Sequence, residues 1–239
     1  NDGSAFAFAS FGNLLAGIAG DMHGAYRFGK LSLRLLDSSN SFGNKQSSFF
    51  LPGVNLLAYS FIFPWVEHYR ASLEKLEQGY KVGVSFGDWI FSLGCARHQC
   101  FHALQCGEEL VKVDKRLREY NKALSGTRQH VVWSAVIAPF WQAILNLMGH
   151  SDSPEQLTGA IMDQERFEKE CLRAKRMRQL AIYYHLRSWL AYIFGNYELA
   201  SRMVEERERL EVTQGPTFWA ANCSFFDGMI SFAISHNIK

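Results

Sequence analysis

A short phrase recurs where one apolar stretch stops and the next begins: Ala19-Gly20-Asp21-Met22, Phe86-Gly87-Asp88-Trp89 and Phe194-Gly195-Asn196-Tyr197. Gly takes up the left-handed conformation that ends a helix, and Asp or Asn accepts the unpaired N–H groups that open another. A chain that repeats this turn is a series of helical hairpins, expected to stack into an all-α solenoid or superhelix. Such stacks bind or connect rather than catalyse.

The interval from Gly20 to Gly87 is close to two tetratricopeptide hairpins of ~34 residues, and that from Gly87 to Gly195 fits three only loosely. The repeats are therefore read as degenerate. Five prolines in 239 residues suit a helical chain, since Pro breaks helix interiors. With 48% hydrophobic and only 20% charged residues, disorder is excluded. A net charge of +2 offers no strong field for nucleic acid or an anionic membrane. The five cysteines, Cys95, Cys100, Cys106, Cys171 and Cys223, form no disulfide framework, which points to a reducing, cytoplasmic setting. The chain begins at Asn1 without an initiator Met or a signal peptide, and is read as an internal piece of a larger protein.

The expected organisation is one helical-repeat segment over residues 1–239, with a possible sub-boundary in the loop 149–158. A first hairpin pairs Ala5–Ala19 with Asp21–Asp37, its glycines Gly12, Gly17, Gly24 and Gly29 placed where helices approach closely. Ser38–Ser48 reads as the main polar loop. Phe49–Val66 is the most membrane-like stretch, but Pro52, Gly53, Asn55 and Pro64 interrupt it. It falls short of the ~20 apolar residues of a span and is read as a buried helix. Its core, Leu56–Phe63, is expected to be ended or kinked by Pro64. From Val66 an amphipathic helix is predicted, with Val66, Tyr69, Leu73, Leu76 and Tyr80 on its buried face. Trp89–Leu110, Val111–Leu124 and Gln129–Leu147 follow, the last broken near Pro139, and then the loop Gly149–Thr158. Charged segments Asp163–Arg178 and Glu198–Glu211 flank apolar Leu180–Phe194. Pro216 suits the first turn of a last helix reaching about Ser235. No alternating run argues for a sheet.

Several patterns bear on chemistry. Gly83-Val84-Ser85-Phe86-Gly87 matches the G-x-S-x-G nucleophile elbow, but that motif needs a strand before it, and the preceding residues have helical period. Cys95, His98, His102 and Cys106 lie along one stripe of one helix, and pairs such as His98 and His102 have metal-chelating spacing. All four cannot meet one ion, because Cys95 and Cys106 stand about 16 Å apart along an ideal helix. A site would need Cys171, Cys223, His185 or His236 from elsewhere. The competing reading is a packed helix face, and no metal or cofactor is expected. Lys169, Arg173, Lys175, Arg176 and Arg178 follow Asp163, Glu165, Glu168 and Glu170, which reads as a solvated face with internal ion pairs. Glu205-Glu206-Arg207-Glu208-Arg209 reads the same way. Asn222-Cys223-Ser224 fits the glycosylation sequon but falls in an apolar helix. Phosphate-binding, dinucleotide, zinc-protease and kinase motifs are absent from the sequence.

The ordered phrases carry a resemblance. They run from Gly20-Asp21 with Tyr26-Arg27-Phe28-Gly29-Lys30-Leu31-Ser32-Leu33-Arg34-Leu35-Leu36, through Pro64-Trp65, Gly79-Tyr80 and Gly87-Asp88, to Gly107-Glu108-Glu109-Leu110. Leu147-Met148-Gly149, Leu157-Thr158-Gly159, Phe194-Gly195-Asn196-Tyr197 with Ala200, and the Pro216 helix complete the set. In this order the chain resembles the tetratricopeptide-like helical region that follows a predicted AAA-type ATPase module in large multidomain Ser/Thr kinases and hybrid sensor histidine kinases. The resemblance implies a non-catalytic interaction and coupling segment between an ATPase module and signalling output, with protein partners or neighbouring domains. It transfers no catalytic residue. The alternatives are an autonomous enzyme, using either the Cys95/His98/His102/Cys106 face or Ser85, and a passive structural spacer.

Overall fold

Left-handed glycine ends helix after helix. Gly20, Gly87, Gly107, Gly126, Gly149 and Gly195 all have φ between 68° and 81°, and each follows a helical segment. The three phrases noted above form the expected turn. After Gly20, Asp21 Oδ1 accepts the Gly24 N–H at 2.8 Å; after Gly87, Asp88 Oδ1 accepts that of Phe91 at 3.2 Å. Asn196 Oδ1 does the same for Leu199 at 3.1 Å. The preceding carbonyls are satisfied in turn: the Asp88 N–H bonds Gly83 O at 2.9 Å and the Asn196 N–H bonds Ala191 O at 2.8 Å, the Schellman pattern.

The computed structural model describes residues 3–41, 45–212 and 218–237. Among them are eleven α-helices and no strand. They are α1 (Ser4–Leu14, prolonged by a π-helical turn Leu15–Ala19), α2 (Met22–Ser41), α3 (Lys45–Leu57), α4 (Arg70–Phe86), α5 (Trp89–Gln105) and α6 (Leu110–Leu124). The rest are α7 (Gln129–Leu147), α8 (Gln164–Arg173), α9 (Met177–Ile193), α10 (Tyr197–Glu208) and α11 (Phe218–Asn237). Pro216 lies outside the described residues.

The chain forms two compact units that divide between Glu109 and Leu110. The first holds α1–α5, and its core gathers Ala25, Leu56, Ile62, Phe63, Leu76 and Cys95. The second holds α6–α10 and α11 from Trp219 onward. There Leu117 and Leu124 of α6, Trp133, Ile137 and Ile144 of α7, and Leu180 and Leu190 of α9 are buried. The loop 149–158 lies inside this second unit. Within the units α1 packs on α2, α4 on α5, and α9 on α10: each recurring turn joins two helices that lie side by side.

Several boundaries differ from the expectations. Ser38–Ser48 is not simply a loop, since α2 runs to Ser41 and α3 begins at Lys45. Ser38 is accommodated by returning its hydroxyl to Arg34 O at 2.9 Å. Pro64 ends the apolar helix through a π turn, Ala58–Ile62, and a 3₁₀ turn, Phe63–Trp65. The next helix starts at Arg70 rather than Val66, where His68 Nδ1 accepts the Arg70 N–H at 3.1 Å. Val66 is consequently exposed, and the face of α4 that is buried carries Ser72, Leu76, Gly79 and Gly83. Small residues form that stripe, which a search for large apolar residues passes over. Gly107 divides the expected helix Trp89–Leu110 at Gln105. Pro139 does not break α7: the helix continues through it. Burial of Trp133, Ile137, Phe140 and Trp141 on either side outweighs one missing backbone hydrogen bond. Of the four early glycines, Gly12 and Gly29 are close-approach sites, where a Cβ would stand 3.0 Å from Ala25 O and 2.7 Å from the Phe63 ring. Gly17 faces open space, and at Gly24 the obstacle is the capping carboxylate of Asp21.

Two helical stretches, Ser48–Trp65 and Arg128–Leu147, are long and apolar enough to cross a bilayer, and 61% of each is buried inside the protein. The second was not singled out in the sequence.

The α8–α9 turn has the same hydrogen bonds as the glycine turns, with Arg176 N–H to Cys171 O at 2.8 Å. Its left-handed residue, however, is Lys175 at φ 52°. A non-glycine residue there is strained by about 1 kcal/mol. Lys175→Gly therefore raises stability by about 0.5–1 kcal/mol, the lower end allowing for the added freedom of the unfolded chain. Gly195→Ala lowers it by a similar amount. Urea denaturation of the two variants checks both signs, and a destabilised Lys175→Gly would contradict the assignment.

Candidate functional site

The Cys/His stripe is built on α5, where Asp88 caps the helix and Gly94 admits Leu56. The structure turns its members toward different partners. Cys95 is fully buried; its thiol donates to Pro52 O at 3.5 Å, and burial raises its pKa strongly. His102 is 2% exposed and lies 2.6 Å, Nδ1 to Oγ, from Ser72. Ser72 gives its only proton to Tyr69 O at 2.6 Å, so the His102 Nδ1–H is the donor of that pair. Burial pushes the His102 pKa down to about 3. His98 Nε2 accepts from Arg97 Nη2 at 3.0 Å, and burial, the Arg97 charge and His102 hold its pKa well below 6.5. Cys106 is half-buried, one residue beyond α5.

The chemical consequence is a neutral, hydrogen-bonded helix face. The His98 and His102 rings meet edge to face at 5.8 Å, and a metal on His98 Nε2 would have to displace a guanidinium. Among the described residues no three His, Cys, Asp or Glu side chains gather as metal ligands. Of the candidates from elsewhere, Cys171, Cys223, His185 and His236 all belong to the second unit, and His185 is committed to a network described below. Ser85 sits in the last turn of α4 with its hydroxyl on Val82 O at 2.7 Å. This is helix, not the strand-to-helix elbow that activates a serine nucleophile. Asn222 of the sequon bonds His185, and Cys223 beside it is 5% exposed.

The charged segments divide into an outer and an inner part. On α8, Arg166 pairs with Glu170 at 3.0 Å and Lys169 with Glu165 at 3.5 Å, the solvated face expected. Arg207 departs from expectation: it is 8% exposed, while its neighbours Glu205, Glu208 and Arg209 face solvent. It shares a buried stripe with Ala200 and Met203, a period of three and four legible in the sequence and hidden by the run of charges around it. Arg207 Nη2 donates to Asp227 Oδ2 of α11 at 2.6 Å, and Nη1 reaches His185 Nδ1 of α9 at 3.3 Å. The other ring nitrogen of His185 donates to Asn222 Oδ1 at 3.0 Å. Burial, reinforced by the Arg207 charge, lowers the His185 pKa to about 3. A buried carboxylate, Asp114 on α6, accepts from Trp141 Nε1 and Arg118 Nε, both at 2.7 Å.

The loop before α8 is ordered by amides from α7. Asn146 Nδ2 donates to Pro154 O at 3.1 Å and Gln156 O at 2.6 Å, and Gln142 Oε1 accepts the Ile161 N–H at 3.0 Å. In the first unit, Phe6, Phe49, Phe50, Phe86 and Phe91 line a groove of about 390 Å³ bordered by Asp88. Phe49 and Phe86 remain 46% and 44% exposed there. The sequence shows these phenylalanines but not their convergence from α1, α3, α4 and α5.

No protein-family model and no curated protein matches the chain.

Proposed function

We propose that the chain is a non-catalytic, helical-repeat interaction and coupling segment that links an ATPase module to kinase-type signalling output. The observation that carries this reading is the turn geometry. Three Gly-Asp/Asn turns each close one helix and cap the next, as hairpins in a solenoid do. The engagement of Ser85, Cys95, His98 and His102 within helices and their contacts supports it, because those residues were the ones with catalytic or metal-binding patterns. In this reading the hairpins are tetratricopeptide-like, the setting is cytoplasmic, and the partners are proteins or neighbouring domains rather than nucleic acid, membrane or cofactor.

Coupling requires that a stiff element transmit a bias between two states. Leu76→Pro, at a fully buried position in the middle of α4, destabilises that hairpin by about 3 kcal/mol or more and abolishes regulated kinase output of the parent protein. Normal output from that variant would exclude the coupling role. Phe49→Ser with Phe86→Ser, which alters exposed rings and leaves the core intact, separates an interaction surface from a passive spacer. The interaction reading expects weakened output, the spacer unchanged output.

A further inference from the structure

α11 meets the α9–α10 hairpin differently from the way those two helices meet each other. α9 and α10 close on small residues, Ala191 and Ala200, both fully buried. α11 reaches them through longer side chains: Phe226 approaches the rings of Trp189 and Tyr192 at 6.3 and 5.9 Å, with Ile230 and Ile234 beyond. Two polar contacts cross the same interface, Arg207 to Asp227 at 2.6 Å and His185 to Asn222 at 3.0 Å. The opposite face of α11 leaves Phe225 and Phe232 each 61% exposed.

A buried arginine adds little net stability, because desolvation offsets its attraction to a carboxylate. It is strongly selective, since a helix without the carboxylate would leave the guanidinium unpaired. The groove therefore combines an aromatic shelf with a fixed demand for one acid. We infer that the α9–α10 groove is a recognition site for an amphipathic helix that carries a carboxylate directly after an aromatic anchor, and that α11 is its resident, separable occupant. The required pattern is the one α11 displays: an amide at Asn222, the ring of Phe226, the acid of Asp227, then Ile230 and Ile234. A partner helix with this pattern competes with α11 for the groove. The inference deepens the interaction reading above by naming what one surface binds.

The test uses the full chain, as wild type and as Asp227→Arg, which sets like charges against each other and expels α11. Amide hydrogen exchange in α11 rises at least tenfold in the variant, while α9 and α10 stay protected. A fluorescein-labelled peptide with the sequence Phe218–Asn237 binds the variant at least tenfold more tightly than the wild type, and the same peptide carrying D227R binds neither. Three results would overturn the inference. α9, α10 and α11 losing protection together would make α11 an integral part of the core. Continued protection of α11 in the variant would deny the role of the ion pair. A preserved α9–α10 hairpin that ignores the peptide, or binds both peptides alike, would deny recognition. These readouts are independent of kinase output, so this inference and the coupling role fail separately.

Discussion

Acidification from pH 7.5 to 5 destabilises both units, and the first unit more. His102 and His185 are held neutral by burial, with pKa values of about 3, and His98 is lowered well below 6.5 for the same reason. In the unfolded chain each returns to about 6.5 and takes up a proton as the pH falls below that value. The folded state does not, so stability is fully present above about pH 7 and declines toward pH 3. The slope is about 1.4 kcal/mol per pH unit for His102 and for His185, or about 2 kcal/mol each at pH 5, and His98 acts in the same direction. The first unit contains His98 and His102 and the second His185, so the loss in the first is the steeper. Segment-resolved hydrogen exchange in α4–α5 and in α9–α10, at matched intrinsic rates, reads the two slopes. His102→Asn keeps a donor for Ser72 and removes the titration, and should flatten the first-unit profile. Equal protection at the two pH values, or an unchanged slope in His102→Asn, would contradict the buried neutral state.

Arg207→Met weakens the attachment of α11 by about 3 kcal/mol, the lower end of what breaking a buried ion pair costs, because Asp227 retains 26% side-chain exposure. Asp227→Leu alone has a loss of similar size, since it strands the guanidinium. The double variant Arg207→Met/Asp227→Leu recovers most of it, because two apolar side chains replace two desolvated charges. The opening free energy of α11, followed by amide exchange across the four proteins, gives the coupling directly. Single-variant losses that simply add in the double variant would show that the two side chains act independently.

His185 and Arg207 lie 22 residues apart, on helices joined by the Gly195–Asn196 turn, and each had a plausible local explanation. Arg207 lay among charges that are solvated, and His185 was one of the residues a metal site on α5 would have needed from elsewhere. Only the Ala200–Met203–Arg207 period hinted that the arginine faces inward. The α4 stripe of Ser72, Leu76, Gly79 and Gly83 was hidden for the opposite reason. Three of its four residues contribute almost no apolar surface, yet they let α5 approach closely enough for a Cβ on Gly79 to stand 2.7 Å from Cys95 Sγ.

What the sequence determined by itself was local: the all-helical class, the three capped turns and the position of most helices. Each depends on backbone conformation and on hydrogen bonds spanning a few residues, which Gly, Asp and Asn specify where they stand. What only the tertiary structure decided was which side chains lose contact with water. Proline passes through α7 because neighbouring helices bury its flanks, and the Cys/His stripe becomes a neutral packed face because Ser72, Pro52 and Arg97 reach it first. Arg207 becomes the centre of an inter-helix network because α9 and α11 close over it. Burial depends on residues brought together from distant parts of the chain, and it sets the charge state and the partners of every polar group in these sites.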